Sequence, residues 1–312
     1  MPATLVPYRD DAVEFPRLIA YLREIWRYPG FQNDFHPGDT VWQRFRLGAA
    51  GFDAALRIAL WEEDDRVVGY AWFDDPDEVV VSIHPAVLPT SAGGDLLAQM
   101  LAWAEERRAI YAERGAPSEA LTVSCLREDA RLEALLAERG FATDGTVAFR
   151  ANQRSLLDEL PERPVADGYR LADMTDEALI PERVAIHREV WHPSKITEEG
   201  YREMRRRPEY DPALDLMAVA ADGKAAAYAL CWLDEPTRTA IFEPVGAREA
   251  HRRRGLAASV LAEGMRRCRD RGAETMHVIH SGHAKYAPSA ALYRSVGFEP
   301  IGHWRPWTRQ VE

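Results

Sequence analysis

The chain has 312 residues, a formal net charge of −11 and 46% hydrophobic residues. This length suits one large or two ordinary domains, each long enough to bury a core. The acidic balance disfavours general nucleic-acid binding, which needs a net basic face. The sequence contains no apolar run long enough to cross a membrane and no secretory leader over residues 1–11, so a cytoplasmic location is expected.

The cysteines offer little chemistry of their own. Cys125, Cys231 and Cys268 are far apart in the chain and odd in number, without metal-ligand spacing. They are predicted to fill core positions, although a catalytic thiol at Cys231 is an alternative. No metal is expected.

The first half of the chain predicts a sheet that begins with a strand near Leu5. Residues 55–76 predict a strand, a tight turn and a second strand, and residues 79–83 predict a third. Apolar residues at helical spacing over 96–101 then indicate a helix packed on that sheet.

The second half repeats this plan. Residues 214–236 have the same strand, turn and strand pattern as residues 55–76, at an offset of roughly half the chain. Such an offset indicates duplicated domains rather than a solenoid of short repeats. Two prolines and a glycine interrupt both periodicities in residues 156–168, where we place the join. The predicted domains are therefore residues 1–157 and 165–312.

Residues 241–257 predict a strand, a loop and the start of a helix. Arg252, Arg253 and Arg254 precede Gly255 at the helix N-terminus. The first N–H groups of a helix lack partners, the helix dipole is positive there, and glycine lets a ligand approach the main chain. Guanidinium groups bind phosphate oxygens, so the loop predicts a phosphate cradle. An exposed basic helix start that binds nothing is the alternative.

A second motif lies further along the chain, where residues 288–298 predict a short helix that ends at Gly297. With the preceding Arg252-x-x-Gly255-x-Ala257 pattern, it resembles the two ordered signatures of the GNAT superfamily of acyl-CoA N-acyltransferases. The resemblance runs from about residue 169 to the end. One departure is Ala287, where the family often has an asparagine that bonds the cofactor.

The resemblance, together with the repeat, implies an α+β fold with two tandem GNAT domains, each a mixed, mostly antiparallel sheet flanked by helices. The copies differ, because residues 89–94 keep glycine at the phosphate-loop position but have no arginine, and Leu135 stands near where Tyr293 falls in the second copy. This asymmetry predicts a degenerate N-terminal domain and a catalytic C-terminal domain. A glycine turn can still present amides, so a CoA site in the first domain stays open.

The resemblance also implies acetyl-CoA as cosubstrate, with the acyl length left open. In the family the fourth strand is splayed from the fifth and pairs with the pantetheine arm. This role falls on Val245, Gly246 and Ala247. The pyrophosphate falls on the loop and helix start, formed by Arg252, Arg253, Arg254, Gly255, Leu256 and Ala257.

Acetyl transfer to an amine also needs a base, because an alkylamine with a pKa of about 10.4 is mostly protonated at pH 7. Glu243 is the predicted base, since it lies on the same strand face as Val245 and the family often has a carboxylate on this strand. A solvent-facing or ion-paired glutamate is the alternative, and His280 and His283 are other possible bases. The resemblance gives Tyr293 the role of protonating the CoA thiolate, against that of a buried packing residue.

The acceptor pocket is predicted to form from residues 186–204, the segment least defined by the family, together with residues 304–307. The candidate substrate residues are Trp191, His192, Tyr201, His280 and His283, although aromatic residues at helical spacing are commonly core. The predicted function is acetyl transfer to a primary amine of a small molecule by a monomer or homodimer, without nucleic-acid or membrane partners. An acyl-CoA sensor or scaffold without efficient transfer and a peptide or protein N-acetyltransferase are the alternatives.

Overall fold

A computed structural model of the chain describes residues 2–30, 34–48, 52–126, 129–283 and 287–311. The chain folds into two compact units. The N-terminal unit comprises residues 1–36, 53–150 and 302–312, and the C-terminal unit comprises residues 37–52 and 151–301. The compact units differ from the predicted domains 1–157 and 165–312 mainly at residues 37–52 and 302–312. That residues 1–157 and 165–312 are independently folding domains stays a prediction.

The described elements follow the predicted order. The strands are β1 (Thr4–Pro7), β2 (Ile58–Glu63), β3 (Arg66–Asp75), β4 (Glu78–Ile83), β5 (Ala120–Cys125), β6 (Phe149–Ser155), β7 (Tyr169–Asp173), β8 (Asp215–Ala220), β9 (Ala225–Asp234), β10 (Thr239–Ala247), β11 (Thr275–Ser281) and β12 (Glu299–Gln310). The α-helices are α1 (Glu14–Ile25), α2 (Pro37–Phe45), α3 (Ala54–Arg57), α4 (Ser91–Glu113), α5 (Ala130–Ala137), α6 (Ile180–Val190), α7 (Glu198–Met204), α8 (Leu256–Asp270) and α9 (Ala287–Ser295).

The N-terminal unit contains a sheet in the order β1-β2-β3-β4-β5-β12. The pairs are antiparallel except for β4 with β5, which run parallel. Asp64 and Asp65 connect β2 to β3 with φ of 48° and 63°. Positive φ at both positions is the geometry of a tight hairpin turn, which confirms the turn predicted within residues 55–76.

The C-terminal unit contains a second sheet, in the order β6-β11-β10-β9-β8-β7. Strands β7 to β10 pair antiparallel in succession, and β10 pairs parallel with β11. The apolar stripe of α8 is buried in a core with β8, β9 and β10, and α2 and α6 each contact β9 and β10. A mixed, mostly antiparallel sheet with flanking helices confirms the predicted α+β fold class.

Two local expectations differ from the structure. Gly93 and Gly94 lie in the first turn of α4 instead of in an open loop, and a Cβ on Gly93 would lie 2.5 Å from the Leu88 carbonyl oxygen. Trp304, expected in the acceptor pocket, packs against Phe35 and Phe149 within the N-terminal unit, with ring centroids 5.8 and 5.2 Å away. Local periodicity gave no information about either packing partner.

The cysteines occupy core positions, as the sequence analysis predicted. Cys125, Cys231 and Cys268 are all buried and free of disulfides. Burial, followed by the neighbouring Cys268 thiol, raises the pKa of Cys231 and so keeps it a thiol at neutral pH. In the chain portions that the structure describes, no helix is both long and apolar enough to span a membrane.

Packing between α8 and the sheet generates a stability prediction at Gly264. A Cβ there would lie 2.7 Å from Cys231 Sγ and 2.8 Å from Phe242 Cε1, both in the core. Replacement by alanine gains about 1 kcal/mol in helix propensity but costs roughly 1–3 kcal/mol in overpacking. We expect Gly264→Ala to lower the free energy of unfolding by about 1 kcal/mol, measured by urea unfolding followed by circular dichroism.

The matched control is Gly94→Ala, also within a helix, where the nearest atom to an added Cβ is Leu135 Cδ2 at an ordinary 3.4 Å. This variant should be as stable as the wild type or slightly more stable, because only the propensity gain applies. Equal destabilisation of both variants would contradict the packing argument.

Candidate active site

The candidate site lies where β10 separates from β11. Their parallel ladder ends at Phe242 and Val278, whereas β10 stays paired with β9 as far as Ala247. A register shift between Phe242 and Val245 places Glu243 and Pro244 in a bulge. Beyond this point, no other strand among the described residues pairs with the edge of β10 that faced β11. The predicted pantetheine residues Val245, Gly246 and Ala247 lie on this part of β10.

The predicted phosphate loop follows directly. Gly255 is the N-cap of α8 in the left-handed conformation (φ 78°, ψ −3°) without a side-chain cap, and Arg253 is also left-handed (φ 64°). Main-chain N–H groups in such a loop converge into an anion-binding concavity at the positive end of the helix dipole. Arg252, Arg253 and Arg254 are exposed around it. An added Cβ on Gly255 would meet no atom within 4 Å, so the approach to the main chain is open.

Arg248 anchors the beginning of this loop, and sequence reasoning missed it. Its side chain is 9% exposed; Nε donates to Glu189 Oε2 at 2.8 Å, and Nη1 donates to the Ala225 carbonyl oxygen at 2.6 Å and to Glu182 Oε1. Both carboxylates belong to α6. The predicted phosphate loop is thus fixed to the helix that leads into the predicted acceptor segment. The only sequence signal was one arginine among several near the basic cluster.

The backbone of Glu243 is fixed by a hydrogen bond, and its carboxyl group is desolvated. Trp232 Nε1 donates to the Glu243 carbonyl oxygen at 2.7 Å, which fixes the backbone of the bulge. Although the residue is only partly buried by surface area, the pKa of Glu243 is raised to about 8. Desolvation of the carboxyl group is the largest cause, the charge of Asp39 acts in the same direction, and Arg46 opposes both effects. The group is therefore poised to exchange a proton near neutral pH.

Asp39 and Arg46 come from a segment that sequence reasoning did not connect with the site. Asp39 lies on α2 and is 5% exposed, and its Oδ1 accepts a hydrogen bond from Gln43 Nε2 at 3.2 Å. Residues 37–52 belong to the C-terminal unit although they precede most of the N-terminal unit in the chain. No local pattern indicates such an exchange.

Tyr293 lies close enough to Glu243 to interact with it electrostatically. The side chain is 6% exposed on α9, and burial followed by the charge of Glu243 raises the pKa of Tyr293. His280, at the end of β11, packs its ring with a centroid 5.6 Å from that of Tyr293. Its Nδ1 donates to the Ser281 carbonyl oxygen at 3.0 Å, because a carbonyl can only accept. Glu243, Tyr293 and His280 thus converge where the strands separate.

The other predicted substrate residues are dispersed. Trp191 is 45% exposed at the end of α6, and His192 and His283 are exposed. Tyr201 is fully buried, and its hydroxyl donates to Asp215 Oδ2 at 2.5 Å. Its side chain belongs to a buried ion-pair network instead of an accessible surface, because Asp215 also pairs with the fully buried Arg183 at 2.7 Å. A helical pattern cannot distinguish this packing from a pocket lining.

These features together define a class of protein. A strand splayed from its parallel neighbour, a carboxyl group at the point of separation and a helix N-terminus without a side-chain cap beyond it are the arrangement that the resemblance to acyl-CoA N-acyltransferases implies. The model of the acetyltransferase (GNAT) family matches residues 177–298. This segment belongs to that family.

Comparisons with individual proteins extend the match. A mycothiol acetyltransferase from Clavibacter michiganensis subsp. michiganensis (strain NCPPB 382) is 30% identical over 154 residues, which is 48% of this chain and 48% of that protein. The matched part thus spans about half the length of that curated relative.

Solved structures match over nearly the whole chain. A GCN5-related N-acetyltransferase from Sphaerobacter thermophilus is similar with a TM-score of 0.65 and 18% identity, covering 98% of this chain and 95% of its own. A tandem GNAT protein from the clavulanic acid biosynthesis pathway, solved without acetyl-CoA, has a TM-score of 0.63 and 18% identity, covering 99% and 98%. At this level of identity the similarity concerns the fold, and it supports the predicted tandem plan.

Removing either of the two charges that act on Glu243 should change its pKa, in opposite directions. Asp39→Asn removes a negative charge and should lower the pKa of Glu243 by roughly half a pH unit or more, whereas Arg46→Gln should raise it. Carbon-13 NMR titration of glutamate-labelled protein, with the resonance assigned by Glu243→Gln, would measure both. A shift in the same direction for both variants would contradict the assigned charges.

Proposed function

We propose that this protein is an acetyl-CoA-dependent N-acetyltransferase that transfers the acetyl group directly from the thioester to a primary amine of a small molecule. The active site lies in the C-terminal half of the chain. The observation that carries this proposal is the position of Glu243, a carboxyl group with a raised pKa at the point where β10 leaves β11. A solvent-facing or ion-paired strand glutamate would have an ordinary or lowered pKa.

The cosubstrate binds along consecutive residues, from the end of β10 to the start of α8. Backbone groups of Val245, Gly246 and Ala247 pair with the pantetheine arm as an added strand would. The pyrophosphate occupies the concavity before α8, where amides of the helix start and the exposed guanidinium groups bind its oxygens. Support comes from Arg253 and Arg254, for which no hydrogen-bond or ion-pair partner exists among the described residues.

Each bond change in the transfer then has a group assigned to it. The amine nitrogen forms a bond to the acetyl carbonyl carbon, and Glu243 accepts the proton that the nitrogen loses. The carbon–sulfur bond breaks, and Tyr293 gives its hydroxyl proton to the departing thiolate, leaving an amide and CoA. The raised pKa of Tyr293 keeps its hydroxyl protonated at neutral pH, so the proton is available when the thiolate forms. His280 is the alternative base, because it packs beside Tyr293.

A small-molecule acceptor is favoured over a protein because the similar relative from Clavibacter is named for a small molecule, mycothiol. An acyl-CoA-binding protein without efficient transfer is the second candidate. Ala287 favours it, since this side chain lacks the amide with which family members often bond the cofactor. The convergence of Glu243 with Tyr293 favours the enzyme.

Turnover tests the assigned roles directly. Glu243→Gln and Tyr293→Phe remove the base and the acid while keeping shape, and each should lower kcat by roughly 100-fold or more at pH 8. The measurement is CoA release from acetyl-CoA with a panel of primary amines. Glu299→Gln, an exposed glutamate at the start of β12, is the control and should behave as the wild type. Unchanged turnover in a combined Glu243→Gln, Tyr293→Phe variant would exclude the mechanism.

The pH dependence gives an independent check on the base. A base works in its ionised form, and a pKa of about 8 leaves about a tenth of Glu243 ionised at pH 7. We therefore expect kcat to rise with pH to a midpoint near 8, and this limb should disappear in Glu243→Gln. A midpoint near 6.5 that survives this substitution would instead identify a histidine as the base.

Cofactor binding is tested by calorimetric titration of acetyl-CoA. We expect one site per chain, weakened at least about 10-fold in an Arg252→Glu, Arg254→Glu variant because phosphate contacts are replaced by repulsion. Arg9→Glu with Arg27→Glu changes the net charge equally at two exposed arginines of the N-terminal unit and should leave affinity unchanged. Two sites, or one site that survives the loop variant, would place cofactor binding in the first half of the chain.

A further inference from the structure

Trp191 is unusual among the aromatic residues of the C-terminal unit. It follows the last residue of α6, and 45% of its surface is exposed, although large apolar side chains are otherwise mostly buried in this unit. An exposed indole that is free to rotate would need no explanation. This one is fixed in place.

A chain of hydrogen bonds holds the indole. Trp191 Nε1 lies 2.8 Å from the Tyr228 hydroxyl oxygen and, since an indole N–H can only donate, the oxygen accepts. The Tyr228 oxygen also lies 2.8 Å from His187 Nδ1, which takes the hydroxyl proton as acceptor. Tyr228 is fully buried, and the rings of His187 and Trp191 stack at an interplanar angle of 28°.

The surrounding charges fix which groups donate and which accept in these hydrogen bonds. Burial, then the charges of Arg183 and Arg46, lower the pKa of His187 to about 3, so the imidazole is neutral and one ring nitrogen can accept. The Arg183 guanidinium carbon lies 4.1 Å from the centroid of the Tyr228 ring and pairs with buried Asp215. A network of buried residues therefore determines the position of Trp191.

The same network contacts the splayed strand. Tyr228 pairs with Gly246 in the β9–β10 ladder, and a Cβ on Gly246 would lie 2.7 Å from Tyr228 Cε1 and 2.9 Å from Val190 Cγ1. The charge of Glu243 also acts on Tyr228. Tyr228 is thus the single side chain between the Trp191 indole and β10, the strand assigned to the thioester. Val190, the last residue of α6 and the one before Trp191, lies next to the same strand.

We propose that Trp191 is a specificity-determining residue whose exposed indole face receives the carbon frame of the acceptor, so that the preferred substrates are primary amines carrying an aromatic or similarly flat apolar group. Tyr228 is its positioning residue. This inference rests on the proposed acetyltransferase function. A fixed aromatic ring binds a flat partner at little entropic cost, because its two side-chain torsions are already ordered. The carboxyl groups of Glu243 and Asp39 receive the amino end of such a substrate.

The test compares two amines across matched variants. With 2-phenylethylamine as acceptor, Trp191→Ala should lower kcat/KM by about 10-fold or more, whereas with ethylamine the change should stay within about threefold. Trp191→Phe keeps a ring and should retain most of the preference for 2-phenylethylamine. Tyr228→Phe keeps the ring against Gly246 but removes the hydroxyl, and it should reduce the preference without changing acetyl-CoA affinity.

Leu157→Ala is the control, since Leu157 is a large apolar residue with 71% exposure in the join. It should leave both amines unaffected. An equal loss for both amines in Trp191→Ala, or a loss of acetyl-CoA affinity, would reduce Trp191 to a structural role and overturn the proposal. An unchanged preference for 2-phenylethylamine would overturn it as well.

A binding measurement separates this inference from the proposed function. Calorimetric titration of 2-phenylethylamine into the CoA-saturated protein should give binding that is lost in Trp191→Ala and kept in Leu157→Ala. If no amine is acetylated while this pattern holds, the acetyltransferase function fails and the aromatic-amine site stands. Absence of binding to the wild type, or equal binding to Trp191→Ala, excludes the site.

Discussion

The end of the ladder between β10 and β11 is the constraint on which the site depends. Backbone N–H and C=O groups that leave a sheet need other partners, and in this protein the ladder ends beside a bulge that contains a proline without an N–H. The same separation admits a carboxyl group from β10 and a tyrosine from α9 to one place. Had the two strands stayed paired, each of these groups would face a filled sheet interior.

The charge balance around Glu243 is the second element of the site. Burial alone would hold the carboxyl group protonated, and Asp39 adds to this effect while Arg46 limits it. Both charges belong to residues 37–52, which precede the N-terminal sheet strands β2 to β5 yet fold with the C-terminal unit. Part of the environment of the candidate base is therefore supplied by the first half of the sequence.

Helix α6 connects the predicted cofactor loop with the predicted acceptor segment. Glu182 and Glu189 on this helix hold Arg248 at the start of the cofactor loop, and its end leads into Trp191 on the acceptor side. Tyr228 and Val190 of this helix both lie beside Gly246, and Tyr228 holds the indole through its hydroxyl group. A shift of α6 would move both the predicted phosphate loop and the predicted acceptor wall, so in the proposed function one element positions both substrates.

The sequence by itself determined the features that depend on neighbours in the chain. Hairpin turns, the periodic face of α8, the glycine before it and the duplicated strand plan all follow from local conformational preferences, and they predicted the fold class and the loop of residues 252–257. Only the tertiary structure decided which distant residues meet. Asp39 acts on Glu243 from about 200 positions away, and Tyr201, whose spacing suited a pocket, is buried against Asp215. Periodicity shows which face of a helix is apolar, but it contains no information about the element that packs on that face. The partners of Glu243 and Trp191 depend on which elements pack there.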